Sequence, residues 1–83
     1  MKKRKSTIGF FDMQAMGDRI KSLCEKKGLK PEKVREALGL GTVQSVYRWY
    51  RGETIPEIEH LYLLALILEV TVDEFLIPRR IPP

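Results

Sequence analysis

The sequence is poor in the residues that hold small folds together by covalent bonds or metals. Cys24 is the only cysteine and His60 the only histidine in 83 residues, which excludes an internal disulfide and a thiolate metal cluster within one chain. His60 is therefore read as a solvent-facing residue at the start of a helix. Cys24 is read as a small apolar residue within a helical stripe, the usual role of a free cysteine. Long hydrophobic runs are missing as well: the longest, Leu61 to Leu68, falls far short of the roughly 20 residues a membrane helix requires. Only Ile8-Gly9-Phe10-Phe11 follows the basic start, too little for the apolar centre of a secretion signal. These absences lead us to expect a cytoplasmic protein with no membrane partner. Glu57 and Glu59 lie near a helix N-terminus, where the dipole favours carboxylates. Without a nucleophile–base set or a phosphate-cradling glycine loop, we expect no enzyme, no cofactor, no metal and no small-molecule substrate.

What is present suits one small soluble domain. Hydrophobic residues make up 43% of the chain, an ordinary share for a globular protein, and the length allows a single core. Charge is unevenly spread. Residues 1–51 hold 13 Lys/Arg against 5 Asp/Glu, a balance of +8, and residues 52–83 hold 2 against 6, a balance of −4. A chain polarised in this way presents a basic side to a polyanion. The cations Lys2, Lys3, Arg4 and Lys5 repel one another, so residues 1–12 are expected to form a flexible basic arm. The folded domain is expected over 13–77, with a loose tail over 78–83.

Apolar spacing predicts an all-α, compact five-helix bundle. Met13, Met16, Ile20, Leu23 and Cys24 mark one face of a first helix, closed by Lys26, Lys27 and Gly28. Pro31 suits the first position of a second helix, with Leu29 and Val34 as its hydrophobic staple and Val34, Ala37 and Leu38 inward. Lys30 falls at its N-cap without a side-chain acceptor, a weak cap that points to another use for the residue. Gly39-Leu40-Gly41 ends it. Thr42 caps a third helix whose inner face is Val46, Trp49 and Tyr50, and Arg51-Gly52 closes that one. A fourth helix from about Glu57 is apolar all round, which implies burial on more than one side. Val72, Phe75 and Leu76 give a short fifth, with Thr71 or Asp73 near its start.

Helices two and three, joined by a tight Gly-containing turn, have the layout of a DNA-binding helix-turn-helix. A helix enters the major groove only if its outer face carries groups that reach base edges. With Val46, Trp49 and Tyr50 inward, that face is Gln44, Ser45, Tyr47, Arg48 and Arg51: an adenine reader, a guanine reader, two hydroxyls and no carboxylate. Other solvent faces mix both signs, as in Glu32-Lys33-Arg35-Glu36.

Residues 16 to 76 resemble the lambda-repressor-like (Cro/C1-type, XRE) helix-turn-helix domains. The resemblance runs through Gly17-Asp18-Arg19-Ile20, Gly28-Leu29, Leu38-Gly39-Leu40 and Arg48-Trp49-Tyr50-Arg51-Gly52. It continues in Ile55-Pro56, Leu61, Leu64-Ala65, Leu68, Val70 and Asp73. It implies a homodimer that binds a two-fold symmetric double-stranded operator and represses transcription. Base reading then falls to Val43, Gln44 and Arg48, flanked by Ser45 and Tyr47. Phosphate contact falls to Lys30 beside Pro31, where the family often has a glutamine, and to Arg51 and the arm cations Lys2, Lys3, Arg4 and Lys5. The Gly39-Leu40-Gly41 turn is one residue longer than is usual there. Where the family often pairs an arginine with a glutamate, this chain has Cys24 and Tyr50, and exchange of both partners implies an apolar core contact. An antitoxin or protein-interaction module on the same fold is the alternative reading, and a bundle that has lost DNA binding is a third.

Overall fold

In the computed structural model, which describes residues 10–79, the chain opens at the N-cap of its first helix. The Asp12 side chain accepts a hydrogen bond from the Ala15 N–H at 3.0 Å, satisfying one of the free donors of the first turn. Helix α1 (Met13–Lys26) follows, then α2 (Pro31–Leu38), α3 (Gln44–Tyr50), α4 (Ile58–Leu68) and a single 3-10 turn over Val72–Glu74. The bundle is all-α as expected, with the 3-10 turn in the fifth position. Leu76 and Ile77 carry on towards Pro78, and the residue before a proline is pushed out of the helical region, so no longer helix forms. Instead the chain extends. Phe11 and Pro78 form an antiparallel bridge, with Asp12 N donating to Ile77 O at 2.8 Å and Arg79 N to Phe10 O at 2.6 Å. Residues 10–12 and 78–79, expected in the arm and the loose tail, are thus tied together.

Every α-helix ends on a left-handed residue whose N–H, with that of its successor, turns back onto the last carbonyls: Gly28, Gly39, Gly52 and Glu69. Glu69 is the unusual member, since a residue with a Cβ rarely adopts φ near 60°. Its carboxylate meets Lys27 Nζ at 3.1 Å, bringing the ends of α1 and α4 together. Lys30 stands at the N-cap of α2 with no side-chain cap, as the sequence indicates. Thr42 caps α3 from one position further out than the assigned cap, Val43: its Oγ1 accepts from Gln44 N at 3.2 Å.

The core draws on every element: Met16, Ile20 and Cys24 of α1, Val34 and Leu38 of α2, Val46 and Trp49 of α3, Leu61, Leu64, Ala65 and Leu68 of α4, and Phe75. Phe75, from the short fifth element, is fully buried. Arg19 Nη1 bonds the Glu74 carbonyl at 2.9 Å and draws the 3-10 turn down over the core beside it. Ala37, expected inside, is exposed, because an eight-residue helix needs only Val34 and Leu38 to seat it. Helices α1 and α3 pack at backbone distance: a Cβ on Gly17 would overlap the carbonyl oxygen of Trp49, and one on Gly52 would lie 2.9 Å from Gln14 Cα. This crossing sets the orientation of α3.

Candidate nucleic-acid interface

Two anchors fix α3 from below. Trp49 and Val46 are buried, and Gln14 Nε2 donates to the Tyr50 carbonyl at 3.3 Å. Tyr50 is half-buried and packs against the core cluster that contains Cys24. Burial pushes the Cys24 thiol up from its usual 9.0 and the Tyr50 hydroxyl up from its usual 10.0. Both stay protonated at neutral pH. The contact implied by the resemblance at these two positions is present, as a thiol–phenol pair inside the bundle.

The opposite face of α3 is exposed. At about 100° per residue, Gln44, Arg48 and Arg51 point most directly outward, with Tyr47 and Ser45 on opposite flanks. Gln44, Arg48 and Tyr47 are exposed, whereas Ser45 and Val43 are half-buried. Arg48 forms no ion pair within 4 Å among the described residues. Ser45 and Arg48 border a small cleft of about 170 Å³ that runs to Thr54 and His60. His60, expected to face solvent, is half-buried with its ring 6.0 Å from that of Trp49. The indole offers it an apolar plane at the start of α4.

Arg51 is the outward cation that is not free. Its Nε lies 2.7 Å and its Nη2 3.3 Å from the two Glu53 carboxylate oxygens. The Arg51 guanidinium in turn holds the Glu53 carboxyl below the usual carboxylate range. Sequence reasoning missed Glu53, although its two-residue distance across the Gly52 turn makes the pairing natural. Lys30 is exposed at the start of α2, on the Tyr47 flank of α3, where both border one groove. The arm cations Lys2, Lys3, Arg4 and Lys5 lie outside the described residues. No group of three or more His, Cys, Asp or Glu side chains among the described residues is placed to hold a metal, and no described helix is long and apolar enough to cross a membrane.

Two successive short helices joined by a tight turn, the second anchored by its inner face and polar outside, define a helix-turn-helix. The helix-turn-helix family profile matches residues 20–75, and the chain belongs to that family, in its Cro/C1-type, lambda-repressor-like form. Solved structures agree. The restriction-modification controller protein C.AhdI from Aeromonas hydrophila superposes with a TM-score of 0.69 at 26% identity, over 77% of this chain and 96% of that one. The P22 c2 repressor, solved with a synthetic operator, gives 0.69 at 28% identity over 76% and 94%. A transcriptional regulator from Listeria innocua gives 0.68 at 30% identity, over 74% of this chain and 56% of that one. No curated protein sequence matches the chain.

Proposed function

We infer that the protein is a sequence-specific double-stranded DNA-binding transcriptional regulator, a repressor, that inserts α3 into the major groove. The observation that carries this is the outer face of α3, where Gln44 and Arg48 are exposed on a rigidly anchored helix and no carboxylate stands between them. Arginine bonds guanine O6 and N7 in a bidentate manner, and glutamine does the same with adenine N6 and N7. Val43 and Ser45 flank this pair and are shallow enough for apolar or hydroxyl contact with a base edge. Lys30 and Arg51 border the helix on the side where the sugar–phosphate backbone would pass. In this reading the cytoplasm is its site of action.

The reading includes a homodimer on a two-fold symmetric operator. Ile58, Tyr62 and Leu66 stand at i, i+4 and i+8 on α4 and are 74%, 58% and 56% exposed. A contiguous apolar stripe of this kind marks an interface. One reading helix makes few base contacts, and a second about 34 Å away meets the next major groove on the same side of the duplex. The arm cations add affinity without sequence preference: each phosphate neutralised contributes about −0.9 to the slope of log K against log salt. Deleting residues 1–5 should flatten that slope by up to roughly 3–4 units, and an unchanged slope would show that the arm does not touch DNA.

Selection from a random-sequence duplex library tests the function. The retained pool should converge on a two-fold symmetric motif. Retention without enrichment of any motif would reject sequence-specific binding.

A further inference from the structure

The end of α3 carries a carboxylate that the base-reading account leaves unused. Glu53 follows Gly52, whose left-handed backbone, with φ of 75°, turns the chain back onto the helix. Gly52 N bonds the Trp49 carbonyl at 3.0 Å and Glu53 N the Arg48 carbonyl at 2.9 Å. The turn is clamped from the other side as well, since a Cβ on Gly52 would lie 2.9 Å from Gln14 Cα. Glu53 is therefore fixed at its backbone, one step beyond the face that carries Arg48 and Arg51. Its carboxylate closes on the Arg51 guanidinium at two points, Oε2 at 2.7 Å from Nε and Oε1 at 3.3 Å from Nη2. Each of the two side chains is 51% exposed. The Arg51 hydrogen bond first, and the charges of Arg51 and Arg48 after it, hold the Glu53 carboxyl below its usual range, so it is ionised at neutral pH. Arg48 itself forms no ion pair within 4 Å among the described residues.

We propose that Glu53 sets the affinity of the DNA interface: it occupies the fork of Arg51 that a backbone phosphate would otherwise take, and so holds binding to any duplex below the level α3 could reach. The inference rests on the DNA-binding reading above and changes one of its assignments, since Arg51 moves from phosphate contact to a pair within the chain. The chemistry is direct. Carboxylate and phosphate both present paired oxygens, and the planar guanidinium binds either of them bidentately. The two anions therefore compete for the same Nε and Nη2 hydrogens. Glu53 holds the advantage of proximity, because a short clamped turn keeps it beside Arg51 before any duplex arrives. A phosphate must either displace the carboxylate or sit against its negative charge. An exposed pair of this kind is weak, so its loss changes stability little and binding by a few-fold. The part of binding it lowers is independent of sequence, because phosphate contacts position a protein without reading bases. Arg48 keeps its role, and Glu53 loosens the hold on random and selected DNA equally.

The test compares the full chain with Glu53→Gln, Arg51→Ala and the double variant on the selected duplex and on a random duplex, each over a series of salt concentrations. Both positions are exposed, and circular dichroism confirms that each variant is folded. Glu53→Gln should strengthen both duplexes alike by about threefold to fivefold, the worth of an exposed pair that no longer competes. It should also steepen the slope of log K against log salt by about 0.9, as Arg51 takes up a phosphate. In the Arg51→Ala background the same substitution should gain less than about twofold, the effect of one screened rim charge. An equal gain in both backgrounds would reduce Glu53 to a surface charge and overturn its competition for Arg51. If Glu53→Gln changes neither affinity nor slope while Arg48→Ala still lowers discrimination, Glu53 does not restrain Arg51, and the DNA-binding reading stands. A loss confined to the selected duplex would make Glu53 a support of the reading helix and overturn the proposal as well. A wild-type chain that retains no duplex at all defeats the inference together with the reading beneath it.

Discussion

Cys24 and Tyr50 show how much a pair of side chains changes when both partners leave the charged state. A buried arginine–glutamate pair needs complete hydrogen bonding to offset its desolvation; a thiol against a phenol needs little. In exchange, the contact becomes sensitive to alkali. Both groups hold their protons more tightly in the folded chain, because burial penalises the thiolate and the phenolate. Unfolding above their ordinary values of 9.0 and 10.0 therefore releases protons and is favoured as pH rises. Their contribution to stability is whole below about pH 9 and declines through pH 9 and 10 and beyond. Urea unfolding at a series of alkaline pH values should show that decline, and the double substitution Cys24→Ala, Tyr50→Phe should make it shallower. An identical pH dependence in the double variant would show that the pair does not titrate with folding. The positions of this pair were legible in the sequence, from the family pattern. The depth of their burial was not, since spacing alone does not say which way a phenol turns.

Among the elements, α1 to α4 follow closely from apolar spacing and from glycine and proline punctuation. Their starts and ends fall within a residue or two of where caps and breakers put them. What sequence could not show is how closely α1 and α3 approach. Gly17 reads as an ordinary helical glycine until the structure places the Trp49 carbonyl where its Cβ would be. Gly17→Ala should therefore push α3 away from α1. The expected cost is about 1–3 kcal/mol of stability, the range for overpacking, together with weaker DNA binding, because the reading helix turns with its anchor. Chemical denaturation and duplex titration of the same variant check both. A variant as stable as the parent and equally active on DNA would show that the crossing does not position α3. The fifth element was the one mistaken in kind: Val72, Phe75 and Leu76 fit helical spacing, but Pro78 and the pairing with Phe11 leave room only for a 3-10 turn.

At the scale of the whole molecule, the all-apolar stretch of α4 resolves into two faces. Leu61, Leu64, Ala65 and Leu68 fill the core, and Ile58, Tyr62 and Leu66 remain outside. Apolar residues all round the helix implied burial on more than one side, but the division between faces depends on where α2 and the 3-10 turn cover the helix. Leu66→Glu sets a charge on the outer stripe without touching the core. Sedimentation at tens of micromolar should then change from dimer to monomer, with the thermal unfolding of the monomer little altered. A parent protein that sediments as a clean monomer, alone and on a half-site duplex, would reject the dimer and leave the stripe to a partner of another kind.

The exposed face of α3 carries the central claim, that α3 reads DNA sequence and Arg48 is its chief reader. Arg48 projects from the middle of the exposed face, with no acidic partner within ion-pair distance among the described residues, while Trp49 beside it is locked in the core. The most direct measurement is the affinity of Arg48→Ala and of the parent for the selected duplex and for a random one, at a single salt concentration. The account predicts a loss of about 1–3 kcal/mol on the selected duplex, relaxed preference at one base pair in each half-site, and little change on the random duplex beyond that of one lost charge. Equal losses on both duplexes would place Arg48 on phosphate and contradict the assignment of α3 as the helix that reads the sequence.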